Sequence, residues 1–373
     1  MNIQMVDLFS QYEKIKTEID LQIEAVIRSS VFVKGGKVID FENNLKKYLN
    51  IGHVISCGNG TDALQIGLMA LNLKEGDEVI TTPFTFVSTL EVLALMKLKP
   101  VLADVDTNSF NINPKLIKSG ITSKTKVIIP VHLYGQCSDM EQINEIANNH
   151  QLFVIEDACQ ALGTDYYFRN GEKVKAGTLS DIACNSFFPT KNLGAFGDGG
   201  ALFTNNNELA QTMRSIANHG MSKRYYYQQI GMNSRLDAIQ AAILNVKLKY
   251  LDQYVQARQM AAAFYDREFS NIQEISIPAR VSYSSHSFHQ YTIKIPEKRD
   301  ELQKFLQSKG IPSMVYYPMP LHLQEAYQYL GYKKGDFPVA EELSEQVLSL
   351  PMHTELSNDQ LHFIVTAIQE FFN

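Results

Sequence analysis

Tryptophan is absent from this chain of 373 residues, and only four cysteines occur in it. Cys57, Cys137, Cys159 and Cys184 are widely spaced in apolar surroundings. They fit neither a zinc pattern nor a disulfide framework and point to a reduced, cytosolic setting. Among the nine histidines no two have a metal-ligand spacing on one helix, so no metal is expected. The first seven residues lack a basic start and an apolar core, and no long apolar run follows. That pattern excludes a signal peptide and a membrane helix and leads us to expect a soluble, cytoplasmic protein. Positive charge is not in excess: a net charge of -6 and a pI near 5.9 argue against a general nucleic-acid binder. Proline-rich linkers, low-complexity segments and internal repeats are also missing.

What is present fits a globular α/β protein. Hydrophobic residues make up 45% and charged residues 20%, which is ordinary for such a chain, and the length suffices for a large domain with a smaller one. Short apolar runs at 54–57, 78–81, 99–105, 125–133, 152–157, 181–185 and 200–204 alternate with helical patterns, which predicts a mostly parallel sheet. After Asp237 one long helical pattern runs through Ile239, Ile243, Val246, Leu248, Leu251 and Val255. A strand-like stretch at 290–295 and a helix at 300–310 follow. We therefore expect a large α/β domain over 1–248 fused through the long helix to a small α+β domain over 249–373.

One lysine stands out chemically. Lys191 lies in Ser186-Phe187-Phe188-Pro189-Thr190-Lys191, followed by a loop containing Gly194, Gly197, Gly199 and Gly200. Schiff-base chemistry needs an enclosed lysine, because burial lowers the ammonium pKa and supplies a neutral amine. The density of Phe187, Phe188, Leu193 and Phe196 around Lys191 favours that use over a surface lysine in a flexible turn.

Four further segments fit a pyridoxal phosphate site. The strand 54–57 enters Gly58-Asn59-Gly60-Thr61 and a helix of pattern Ala63, Leu64, Ile66, Leu68, Met69; a helix start with a hydroxyl at Thr61 is a phosphate cup. The same turn is common punctuation before a helix capped by Thr or Asp. The strand 152–157 ends in Glu156 and Asp157, where an aspartate can hold a pyridinium proton or simply cap a helix. The run 82–89 offers Phe84 or Phe86 as a stacking face or as core. Residues 231–238 set polar groups, including Asn233 and Arg235, before an amphipathic helix.

These motifs together resemble the DegT/DnrJ/EryC1/StrS family of sugar-nucleotide aminotransferases, of the fold type I pyridoxal phosphate enzymes, over nearly the whole chain. The matching stretches are 60–64, 83–86, 156–160, 186–191, 197–200, 219–220 and 231–237. The resemblance implies a seven-stranded sheet and pyridoxal 5'-phosphate, passing through pyridoxamine 5'-phosphate, as cofactor. By the same resemblance Lys191 forms the Schiff base, Asp157 meets the ring nitrogen, Gln160 lies near the ring hydroxyl and Phe86 stacks on the ring. Gly60, Thr61 and Ser186 are implied to hold the phosphate, with Asn233 reaching it from the neighbouring subunit of a homodimer. The family's dehydratase branch has histidine at the lysine position; Lys191 therefore favours transamination.

Within the family the chain resembles aminotransferases of 3-keto sugar nucleotides, including that of UDP-linked 3-keto N-acetylglucosaminuronate. Arg235 and Tyr317 match substrate residues of that branch, while Tyr316 replaces a histidine, which leaves a neutral sugar on dTDP open as well. The implied reaction is a ping-pong transfer from L-glutamate to a nucleotide-linked keto sugar, for amino-sugar and surface polysaccharide or lipopolysaccharide production. Two alternatives stand beside it: a dehydratase on the same cofactor, and a regulatory protein that binds the cofactor without turnover. The run Ser222 to Tyr227 fits either a sugar-nucleotide contact or a solvated turn at a dimer edge. His219 and His353 lie in family motifs, and His132, His289 and His322 are candidates for the site's surroundings, each with ordinary hydrogen bonding as the plainer use.

Overall fold

The computed structural model describes residues 3–372. All seven expected strands form one sheet: β1 (His53–Cys57), β2 (Glu78–Thr81), β3 (Lys99–Leu102), β4 (Thr125–Ile128), β5 (Phe153–Asp157), β6 (Ile182–Ser186) and β7 (Gly200–Thr204). Their order across the sheet is β1-β7-β6-β5-β4-β2-β3. Neighbours from β6 to β3 run parallel, and β7 lies antiparallel between β1 and β6. The sheet is thus mostly parallel, an α/β fold.

Side-chain alternation explains why helices cover both faces. Along β1, Ile55 and Cys57 enter a core with Leu64 and Leu68 of α3 (Gly60–Ala70), whereas Val54 faces Phe41 and Leu45 of α2 (Gly36–Leu49). β7 divides likewise, with Leu202 on the first side and Ala201 and Phe203 on the second.

Three expectations are corrected. The runs 99–105 and 125–133 make shorter strands, with Val105 and Val131 left in isolated bridges; Pro130, which has no N–H to give, lies between β4 and Val131. The long helix after Asp237 is two helices, Ala238–Leu248 and Leu251–Phe269. Lys249 and Tyr250 donate to Val246 and Lys247, three residues back, and this tightening ends the first helix. Periodicity continued across the break, so the pattern did not show it. A third helix, Leu8–Ser29, which the pattern had not marked, packs against Ala238–Leu248.

Near the carboxyl end, Tyr291–Lys294 and Val347–Leu350 pair antiparallel. With Leu251–Phe269, Arg299–Ser308 and Asn358–Phe372 they enclose a core that includes Tyr265, Ile293, Leu306 and Ile368. Leu321, Tyr327, Phe337 and Leu343, by contrast, join the core of the main sheet. Among the described residues no helix is long and apolar enough to cross a membrane.

Candidate active site

Ligands of open α/β sheets bind beyond the strands' carboxyl ends. There, past β1, β5 and β6, lies a cleft of about 820 Å³ lined by Gly60, Thr61, Phe86, Asp157, Gln160, Ser186, Lys191, Tyr316 and Tyr317. The two remaining expected site residues lie elsewhere. Asn233 is exposed, and Arg235 borders a second cavity of about 730 Å³ with Lys34, Glu42, Arg214 and Asn218. Ser234, between them, is buried and ties the segment to the β1–α3 turn: its hydroxyl donates to Asp62 at 2.6 Å and accepts from the Gly58 amide at 2.8 Å.

The first wall is the start of α3. Its cap is Asn59 rather than Thr61 or Asp62, and the Asn59 Oδ1 accepts the Asp62 amide at 2.8 Å. The amides of Gly60 and Thr61 precede any intrahelical acceptor and remain for a ligand. Gly60 is required by contact: a Cβ there would sit 2.8 Å from Ser186 Cβ and 3.1 Å from Cys159 Sγ. Helix amides, the Ser186 side chain and the Thr61 hydroxyl, which is hydrogen-bonded to Ser88 at 2.7 Å, therefore line one cleft. That is an anion cradle.

The second wall is the end of β5, where two adjacent carboxylates face opposite ways. Glu156 is fully buried and accepts from His132 Nε2 (2.9 Å), the Gly177 and Leu179 amides (2.8 and 2.7 Å) and the Ser180 hydroxyl (2.9 Å). His132 Nδ1 accepts the Ser138 amide, which assigns the ring proton to Nε2. Asp157 turns to the cleft instead. Its Oδ2 accepts from Thr89 Oγ1 at 2.7 Å and its Oδ1 from the Cys159 amide at 3.3 Å.

Lys191 is partly exposed to the cleft. Burial pushes its ammonium pKa down, opposed by Cys159 and Asp157. Burial also holds the Cys159 thiol protonated. The aromatic jacket expected around Lys191 is corrected. Phe188 lines the cleft, but Phe187 and Leu193 belong to the core behind the sheet, and Phe196 packs on Tyr12 and Lys247.

On the third wall Phe86 is exposed, while Phe84 is buried beneath, edge-on to Tyr317 at 6.2 Å. Gln160 joins Tyr134 and Tyr317, and Tyr134 reaches the carbonyl of Tyr316. Of the histidines, His289 lines the cleft; burial, then the charges of Lys191 and Arg258, holds its pKa well below the usual value. His322 is spent on Glu341, while His353 is buried and His219 exposed away from the cleft. The His219-Gly220 stretch crosses Gly231 so closely that a Cβ on Gly231 would lie 2.1 Å from the Gly220 nitrogen. The contacts of Thr89, Tyr134 and Ser234 were not expected from the sequence, because each acts across a long separation with no local pattern.

The model of the DegT/DnrJ/EryC1/StrS aminotransferase family matches residues 13–369. The chain belongs to that family. The DegT-family chain is 49% identical to the "Pleiotropic regulatory protein" of Geobacillus stearothermophilus, over 100% of this chain and 99% of the relative. It is 42% identical to the UDP-2-acetamido-2-deoxy-3-oxo-D-glucuronate aminotransferase of Pseudomonas aeruginosa, over 98% and 99%. Among solved structures, S. venezuelae DesV in complex with a ketimine intermediate superposes with a TM-score of 0.96 at 34% identity, covering 100% of this chain and 99% of that one. As a member of this family the protein is a pyridoxal phosphate-dependent aminotransferase. Its own cleft fits the cofactor: the Gly60 cradle admits a phosphate, and Lys191 and Asp157 line the same space.

Proposed function

We propose that the protein transfers an amino group from L-glutamate to a nucleotide-linked 3-keto sugar by a ping-pong mechanism, in the cytoplasm, for amino-sugar and surface polysaccharide synthesis. The observation that carries this is Lys191, in place of the dehydratases' histidine, in one cleft with Asp157 and the Gly60 cradle. Pyridoxal phosphate supplies, when bound, an aldehyde carbon for amine exchange and a ring that takes up an electron pair.

The remaining work falls to side chains of this protein. Lys191, its ammonium disfavoured by burial, would hold the cofactor and, once released as an amine, would move a proton at the substrate carbon. Asp157, braced by Thr89, keeps the ring nitrogen protonated, so negative charge developing on the substrate carbon is stabilised. Gly60, Thr61 and Ser186 would hold the phosphate, and Phe86 and Gln160 would hold the ring. Tyr316 and Tyr317 meet the sugar. Asn233 and Arg235 serve the cleft of a second copy in a homodimer, a reading supported by their position outside their own. The division of the chain at 248/249 into large and small domains is part of the same proposal. A 3-keto substrate is supported by the name of the P. aeruginosa relative.

The test supplies pyridoxal phosphate, L-glutamate and a panel of UDP- and dTDP-linked 3-keto and 4-keto sugars, with Lys191→Ala as control. Release of 2-oxoglutarate in proportion to one amino sugar, lost in the control, is the expected result. Sugar deoxygenation without 2-oxoglutarate would favour a dehydratase. Bound cofactor without turnover of any donor would favour the regulatory role suggested by the name of the G. stearothermophilus relative.

A further inference from the structure

Gln160 is more than nine-tenths buried, and both ends of its side-chain amide are engaged. Oε1 accepts the backbone N–H of Tyr134 at 2.8 Å, and Nε2 donates to the Tyr317 hydroxyl at 3.3 Å. The first bond decides which end is which, because a turned amide would set its NH₂ group against another N–H donor. Tyr134 stands in the left-handed region (φ 57°), which a bulky residue rarely adopts. Its hydroxyl donates to the carbonyl of Tyr316. One residue thus grips Gln160 through its backbone and the 316–317 segment through its ring. Gln160 Nε2 carries two protons. Tyr317 takes one, and the other is left for the cleft that Gln160 lines.

We propose that Tyr134 and Tyr317 are positioning residues that lock the Gln160 amide so that its second N–H donates to the ring hydroxyl oxygen of pyridoxal phosphate, thereby setting the proton affinity of the lysine-bound cofactor. The inference rests on the reading that Lys191 carries the cofactor in this cleft. A donor to that oxygen stabilises its anionic form, which then holds the proton on the neighbouring nitrogen less tightly. The proton leaves at lower pH while the lock is intact and at higher pH once it is loosened. The titratable groups facing Tyr317 are Asp157, Tyr316, Cys159 and Tyr134; those facing Lys191 are Asp157, Cys159 and His289. Burial keeps the tyrosines and Cys159 protonated and His289 neutral, and Asp157 is common to every variant below.

The experiment titrates the visible absorbance of the cofactor-loaded protein with pH, for wild type, Gln160→Leu, Tyr317→Phe and Tyr134→Phe, and measures cofactor dissociation constants alongside. Gln160→Leu is expected to raise the midpoint, with proton affinity up about tenfold. Tyr317→Phe should move it the same way by less, and Tyr134→Phe, which keeps its backbone N–H, by no more than that. An unmoved midpoint in Tyr317→Phe beside a raised one in Gln160→Leu overturns the lock and leaves Gln160 in its role. No shift in Gln160→Leu overturns both. A visible titration that survives in Lys191→Ala means that the cofactor is not held by Lys191, and the underlying reading fails.

Discussion

Lys191 and Lys247 are both drawn out of solvent, and burial lowers the ammonium pKa of each, that of Lys247 to about 8. Their surroundings differ in what they leave open. Lys247 is 2% exposed, donates to the Gly194 carbonyl at 2.8 Å and lies 4.9 Å over the Phe196 ring. Lys191 opens on the cleft with Asp157, Ser186 and Gly60. A depressed lysine is therefore not in itself a nucleophile: access and a partnered cradle separate the two. Lys247 also holds, through Gly194, the loop that carries Lys191, so one buried lysine braces the other. The sharpest way to break the contrast is to remove each in turn. Lys191→Ala should lower amino transfer in a single-turnover assay by at least about 10²- to 10⁴-fold, the range lost with a proton-transferring group alone. Lys247→Met should leave proton transfer in place. Equal losses would mean that the loop's position, rather than the Lys191 amine, limits the rate.

Gly60→Ala tests the cradle on the Lys191 side. The added methyl meets Ser186 Cβ at 2.8 Å, and a strand end and a helix start must part to admit it. Overpacking of this kind costs about 1–3 kcal/mol, and a cofactor that binds at the contact should weaken by about 10- to 100-fold. Equilibrium dialysis measures that loss. Unchanged affinity would place the phosphate elsewhere.

The contrast between the lysines also shows what the sequence could and could not carry. Strand positions were legible because each buried run has its own apolar signature, and Lys191, Asp157 and Gly60 were legible because each sits in a short contiguous motif. Of the apolar jacket expected around Lys191 only Phe188 reaches the cleft, and Phe196 faces Lys247, which no motif marks. Proximity in sequence put Phe187, Leu193 and Phe196 beside Lys191, but loop geometry turned them away. Thr89 and Asp157 meet across 68 positions, Ser234 and Asp62 across 172. Contacts of that separation leave no period or spacing to read.

Lys247 gives the comparison a pH signature. Its ammonium is disfavoured in the fold, so the unfolded chain binds more protons between about 8 and the ordinary 10.5. The burial penalty, on the order of 3 kcal/mol, is fully present below about 8 and fades as pH rises towards 10.5. That penalty is net of the hydrogen bond to Gly194, which the ammonium makes in the fold. In thermal unfolding Lys247→Met should thus lose ground against wild type between pH 7 and pH 10. A constant difference between the two would show that Lys247 keeps an ordinary pKa.

The smallest expected effect lies in the support of the cleft. Thr89 Oγ1 donates to Asp157 Oδ2 at 2.7 Å, and both groups are buried. Thr89→Val keeps the shape and removes the donor, leaving one carboxylate oxygen without that partner. Asp157 retains the Cys159 amide on its other oxygen, so it remains in the cleft but is free to rotate. The hydrogen bond is worth on the order of 1 kcal/mol to the placement of Asp157 in the cleft, and cofactor affinity should fall by no more than about tenfold. Thr89→Ser, which restores the hydroxyl, should recover most of that affinity, whereas a purely packing role for Thr89 would leave Val the better substitute. A rank order of Thr, Ser, Val in cofactor binding therefore assigns Thr89 to the cleft's electrostatics, and Thr, Val, Ser assigns it to the core behind them.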